Sequence, residues 1–284
     1  GILRIREDDN VRIAFTHANR AIQYSQEEPE VTSLNSGEFK WHPFQIAFQL
    51  VNLNGLLALD KNDEYYGERE NIDLAWFPTG GGKTEAYFGL ISLIGFFRRI
   101  MIPGQEKNPS VHAIMRYTLR LLTMDQGERL VRLMGGMNQI AKSSSDERIR
   151  SGQRFRVGMW IGKKASPNRI KGTRDQNDAL SILVAQKQGS VPKSRFIMFE
   201  ACPWCGDQSI RDPKNWNVGT LNGRETLIGK CVQSECIFSE ESGIPFTCVD
   251  EDIYNNPPSV LLGTVDKFVQ AAYNRRYKDA ADDI

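Results

Sequence analysis

Asp73-Leu74-Ala75-Trp76-Phe77-Pro78-Thr79-Gly80-Gly81-Gly82-Lys83-Thr84-Glu85 sets an apolar run, three glycines and a Lys-Thr pair in immediate succession. The apolar run 74–77 predicts a buried strand, and Pro78 ends it. Three glycines then lead into Lys83-Thr84 and a long apolar segment. Strand, glycine-rich turn and helix in that order make a cradle for phosphate. Glycine N–H groups turn inward with no Cβ in the way, and the helix N-terminus adds the positive end of its dipole. Thr79, Gly80, Gly81, Gly82 and Glu85 would surround a bound nucleotide, with Lys83 on the β- and γ-phosphates and the Thr84 hydroxyl on Mg²⁺. A chance glycine-rich turn is the plainer alternative, and the Lys-Thr pair in register with strand and helix weighs against it.

Residues 86–97 are apolar on nearly every face, which predicts a helix covered on several sides, as on a parallel sheet. Glu85 near its start and Arg98-Arg99 near its end suit the helix dipole, and Pro103-Gly104 stop it. The run is too short to cross a bilayer, which takes about 20 apolar residues.

The chain has 284 residues, enough for one large or two modest domains, with 40% hydrophobic and 25% charged residues. A net charge of +1 says nothing of a polyanionic partner in total; only its distribution can. The N-terminus Gly1-Ile2-Leu3-Arg4-Ile5-Arg6-Glu7 has no apolar signal core, which argues against secretion and for a cytoplasmic chain without a membrane partner. Five cysteines, four of them in two close pairs, fit a reducing compartment and a metal better than disulfides.

Along the chain, residues 1–36 read as helical and polar, with Val11, Ile13, Ala14, Phe15, Ala18 and Ile22 as an apolar stripe and His17 as a structural residue within it. Pro43 opens an amphipathic helix carrying Gln45. That glutamine is either a bidentate amide for adenine, in the geometry side-chain amides use on this base, or simply a polar residue in the first helical turn. Residues 111–115, 155–161 and 259–264 predict three more strands. Thr118 and Arg120 follow the first of these, at the carboxyl end where open α/β sheets bind ligands; a plain surface arginine is the competing reading. From Lys142 to Asp175 ten Lys or Arg stand against three Asp or Glu. This run, with Lys163 at a strand end, is either a nucleic-acid footprint or a solvated charge run. Thr264 and the N–H groups after it offer another phosphate-sized cap.

Cys202-Pro203-Trp204-Cys205-Gly206 is a tight metal knuckle, and Cys231 with Cys236 completes four sulfur ligands for a structural Zn²⁺. A redox Cys-x-x-Cys is the rival. Cys248, in a run that reads as buried strand, is the reserve ligand.

With these pieces assembled, the chain resembles the first RecA-like lobe of a superfamily 2 helicase, and more narrowly the DISARM-type phage-defence helicases. The likeness is carried by Pro43-Phe44-Gln45, by residues 76–86, by Arg116-Tyr117-Thr118-Leu119-Arg120-Leu121-Leu122-Thr123, by the Cys-Pro-Trp-Cys-Gly knuckle, and by Gly263-Thr264-Val265-Asp266-Lys267-Phe268. Phe77 stands where the general phosphate-loop pattern has Gly or Ala, which the helicase variant of the loop tolerates.

The resemblance implies an α/β fold: a RecA-like parallel sheet with helices on both faces, an inserted zinc-ribbon-like module and an N-terminal helical segment. The expected division is an appendage over 1–36, the lobe over 37–163, an insertion over 164–255 with its four-cysteine module at about 200–248, and a return to the lobe over 256–284. It also implies ATP, Mg²⁺ and Zn²⁺ as cofactors, Gln45 as the adenine reader, and nucleic-acid backbone contacts from Thr118, Arg120, Gln126, Thr264, Asp266 and Lys267. Other defence-system subunits would be partners. Such a lobe needs an acidic motif after Lys267 to hold Mg²⁺ and activate water, and the chain stops at Ile284 before one appears. Asp250-Glu251-Asp252 lies on the wrong side of Thr264, so it is read as a turn. The expectation is a fragment of an ATP-dependent DNA helicase or translocase, inactive alone. The alternatives are a P-loop ATPase subunit of a restriction system and a non-enzymatic zinc-ribbon module that binds nucleic acid.

Overall fold

The structure, a computed structural model, describes residues 1–26, 39–74, 76, 80–102, 110–117, 120–161, 166–172, 178–190, 199–265 and 267–268; of residues 117 and 120–123 only the backbone is described. The chain is mixed α/β and divides into two units, Gly1–Glu106 with Gly136–Gly152, and Lys107–Gly135 with Gln153–Ile284.

The first unit is built around the apolar run after the glycines. Helices α1 (Ile2–Glu7), α2 (Asp9–Gln26) and α3 (Pro43–Leu57) precede α4 (Lys83–Met101), on which α2 and α3 both pack. Buried Val11, Ala14, Ala18, Ala21 and Ile22 form the stripe of α2, and its three alanines let the helices approach closely. His17 is structural, as expected, bonding Ile13 O at 2.9 Å and Ser144 Oγ at 3.0 Å. Gly89 of α4 sits against α3, since a Cβ there would lie 2.4 Å from Gln49 Oε1.

The second unit holds a parallel sheet in the order β1-β6-β2-β5, from β1 (Ala113–Tyr117), β2 (Val157–Trp160), β5 (Phe246–Thr247) and β6 (Val260–Thr264). Ile114 pairs with Leu261 and Val157 with Val260, and β2 is buried throughout. Continuous apolar runs are what strands covered on both faces require. Helix α5 (Arg120–Lys142) follows β1. An antiparallel hairpin, β3 (Trp216–Leu221) and β4 (Arg224–Gly229), turns through Asn222 and Gly223 with φ of 53° and 77°. Asn-Gly with both residues at positive φ is the favoured two-residue hairpin turn. Buried Arg156 ties this hairpin to the sheet: its Nη2 donates to Asp252 Oδ2 at 2.7 Å and to Thr226 Oγ1 at 3.0 Å.

One element departs from expectation. Residues 71–74 and Trp76 form no strand, and Leu74 and Trp76 are 86% and 88% exposed. Among the described residues this run has no ladder partner, and an extended segment without sheet neighbours buries neither face.

Candidate functional site

Gly80 and Gly82 adopt φ of 80° and 77°, the left-handed region that glycine enters without strain. Gly82 caps α4, so Lys83, Thr84 and Glu85 form its half-buried first turn. The loop is joined to α3 by one side chain. Gln45, 3% exposed, donates from Nε2 to Gly82 O at 2.8 Å and accepts at Oε1 from the His42 N–H at 2.9 Å. An amide oxygen accepts two hydrogen bonds and an amide NH₂ donates two, so these bonds use half of its capacity. Around this junction lies an open cleft of about 520 Å³ lined by Phe39, Lys40, His42, Phe44, Gln45, residues 80–82 and Glu85. The His42 and Phe44 rings are near-parallel, 6.2 Å apart. The cleft thus brings together aromatic rings, an amide and the glycine-led start of a helix, a set suited to a planar base and an anion. Thr79 lies outside the described residues.

The expected nucleic-acid contacts are more scattered. Thr118, Lys163 and Asp266 lie outside the described residues, as does the side chain of Arg120. Thr264 ends β6 opposite Tyr117, half-buried. Gln126 is buried and bonds to Asp125 Oδ2 at 3.0 Å. Lys267 is 4% exposed, pairs with Asp250 Oδ2 at 3.0 Å and stands 5.6 Å from the Trp160 ring centre. Its ammonium is engaged inside the fold rather than on an open face.

Among the described residues, the basic run between 142 and 175 is likewise largely committed. Arg148 pairs with Asp146, Arg150 donates to Ser144 O, Arg154 to the carbonyls of Ser242 and Gly243, Arg156 to Asp252, and Lys171 pairs with Glu225. The acidic triplet is engaged within the second unit as well. Asp250 opens a short helix, Asp250–Asn255, after β5, Glu251 Oε2 accepts from the Ile170 N–H at 2.8 Å, and Asp252 holds Arg156.

The cysteines converge. The ligand atoms of Cys202, Cys205, Cys231 and Cys236 all lie within 4.8 Å of one another, with Sγ–Sγ separations of 3.7 Å for Cys202–Cys236 and 3.5 Å for Cys205–Cys231. Sulfurs around a tetrahedral Zn²⁺ at Zn–S of about 2.3 Å stand roughly 3.8 Å apart, whereas a disulfide needs about 2.05 Å. The donor set therefore fits a four-thiolate metal site, with no position left open for chemistry. The first knuckle is closed by Gly206 N–H to Cys202 O at 2.9 Å, and the hairpin carries the chain from one knuckle to the next. A hydrogen bond from Cys236, helped by the Cys205 and Trp204 N–H groups, lowers the Cys202 thiol to about 6, and the same contact raises Cys236. Burial pushes Cys231 up to about 12. Cys248, the reserve ligand, lies outside the cluster and fully buried.

The hairpin was not anticipated from sequence, although Asn222-Gly223 between alternating residues is its signal. Among the described residues no helix is long and apolar enough to cross a membrane.

No protein-family model matches the chain. Over 295 aligned residues it is 30% identical to the DISARM protein DrmA of Bacillus paralicheniformis, an alignment covering 97% of this chain and 25% of that protein. The chain thus spans about a quarter of the length of the curated relative it matches, and is similar along nearly its whole length to one part of a DISARM protein.

Proposed function

We propose that this chain is the nucleotide-binding part of an ATP-driven DNA translocase or helicase acting in phage defence. The observation that carries the reading is the Gln45–Gly82 bond at 2.8 Å, which fixes the glycine loop beside an aromatic cleft of nucleotide size. Near-full-length similarity to part of a DISARM protein supplies the defence context. In this reading the glycine N–H groups and Lys83 hold the β- and γ-phosphates, Thr84 ligates Mg²⁺, and Gln45 with Phe44 orients adenine. Mg²⁺ would neutralise phosphate charge when bound. Thr118, Arg120 and Thr264 contact the backbone of the nucleic acid, and Zn²⁺ on the four cysteines stabilises the second unit. The protein works in the cytoplasm with other defence subunits. Hydrolysis of ATP by the intact protein, with and without single-stranded DNA, tests this. Turnover that rises with DNA and falls more than about 10²-fold in Lys83→Ala is expected; DNA-independent turnover would favour another class of P-loop ATPase.

A further inference from the structure

We propose that the four-sulfur centre and helix α5 are energetically coupled through Arg132, so that a metal on the cysteines also fixes the helix that follows β1. Arg132 Nη1 donates to the carbonyl oxygens of Pro203 at 3.3 Å and Trp204 at 2.8 Å, the two residues between Cys202 and Cys205. Its guanidinium also covers the Trp204 ring, 5.1 Å from the centroid. One side chain thus grips the backbone and the ring of the first knuckle. The second knuckle meets the same helix one turn on. A Cβ at Gly135 would lie 2.9 Å from Phe238 and 3.1 Å from Ile237, so glycine there lets the helix backbone touch this pair. Phe238 in turn bonds both ligands of its knuckle: its N–H donates to Cys236 Sγ at 3.5 Å, and its carbonyl accepts from Cys231 N–H at 3.0 Å. Trp204 and Phe238 complete the joint edge to face, 6.1 Å apart.

Each knuckle therefore presents one aromatic residue to α5, and the metal is what holds the knuckles together. Small loops of this kind take their stability from the metal. If the metal orders the surface that α5 grips, α5 must by reciprocity strengthen metal binding by the same factor. Arg132 is a positioning residue in this scheme: it touches no metal and acts through carbonyls whose peptides carry the ligands.

The inference rests on the cysteines holding a metal and is independent of the nucleotide cleft. Elemental analysis of the intact protein settles the first point separately. In the zinc-loaded intact protein, Zn²⁺ affinity is measured by competition with a chromophoric chelator, and amide exchange is followed before and after zinc removal. Arg132→Ala and Arg132→Lys are expected to weaken Zn²⁺ about tenfold, since lysine restores the charge but neither the fork nor the stacking. Stripping zinc from the unsubstituted protein is expected to raise exchange across residues 124–135 together with 200–238. Affinity within twofold of the parent in Arg132→Lys, or an α5 equally protected without zinc, would overturn the coupling. Both wild-type exchange and the lysine variant remain readable if the alanine variant does not fold.

Discussion

Gln45 Nε2 lies 2.8 Å from the carbonyl oxygen of Gly82, so the amide that opens α3 is bonded to the residue that caps α4. A carbonyl at the cap of a helix faces away from the N–H groups that would receive an anion. Holding it fixes the glycine loop at the cleft that Gln45 and residues 80–82 line together. The bond therefore makes Gln45 a part of the loop's geometry as well as a candidate for reading a base.

Gln45→Ala should cost about 1–3 kcal/mol, because it removes two hydrogen bonds, one to Gly82 O and one from the His42 N–H, each worth a net of about 0.5–1.5 kcal/mol. Nucleotide affinity should fall with it. Urea unfolding and nucleotide titration of the same variant check both effects. Unchanged stability would show that the tether is not formed in solution.

The two left-handed glycines should differ. A Cβ at Gly82 would lie 2.6 Å from Gln45 Nε2, whereas one at Gly80 meets nothing within 4 Å. Gly80→Ala should lose only the backbone strain of about 1–2 kcal/mol, and Gly82→Ala should lose that plus the Gln45 bond. Thermal unfolding of the pair would reveal equal losses if the glycines were interchangeable.

Lys267 is a buried charge held by one carboxylate, that of Asp250. Lys267→Met removes the partner of buried Asp250, and losing one member of a buried ion pair costs about 3–5 kcal/mol. The salt dependence of DNA binding should be unchanged in slope. A slope smaller by about one would show that this lysine contacts phosphate instead.

What was legible in the chain is what depends on neighbours. The apolar face pattern of α4, the runs of β2 and β6, and the cysteine spacings are local signals, and each appears where its spacing puts it. Contacts set by the fold were not legible. Arg154 and Arg156 look like part of a basic run, yet they bond to Ser242 and Asp252, far along the chain. Leu74 and Trp76 have a strand's composition, yet composition cannot supply a ladder partner, and among the described residues they have none. The hairpin was legible through Asn222-Gly223 but was overshadowed by the cysteines on either side of it.

Cys248 gives a pH signature. Burial, reinforced by Asp250 and Asp252, raises its thiol well above the ordinary range, so the folded protein keeps this proton at alkaline pH. The unfolded chain releases it near about 8.5. Above that pH the unfolded state binds fewer protons, so stability falls as pH rises, while below it nothing changes. In the zinc-loaded protein, Cys248→Ala should flatten the decline above pH of about 8.5. An unaltered slope in urea unfolding across that range would place the thiol in contact with solvent.

The proposed function places a nucleotide in the cleft between α3 and the glycine loop. Titration of the intact protein with Mg²⁺–ATP, beside Lys83→Ala and Gln45→Ala, tests it most directly. Saturable binding at one site per chain is expected, weakened about tenfold or more in each variant through the lost phosphate and tether contacts. Binding of equal strength in all three proteins, or none in the unsubstituted one, would contradict it.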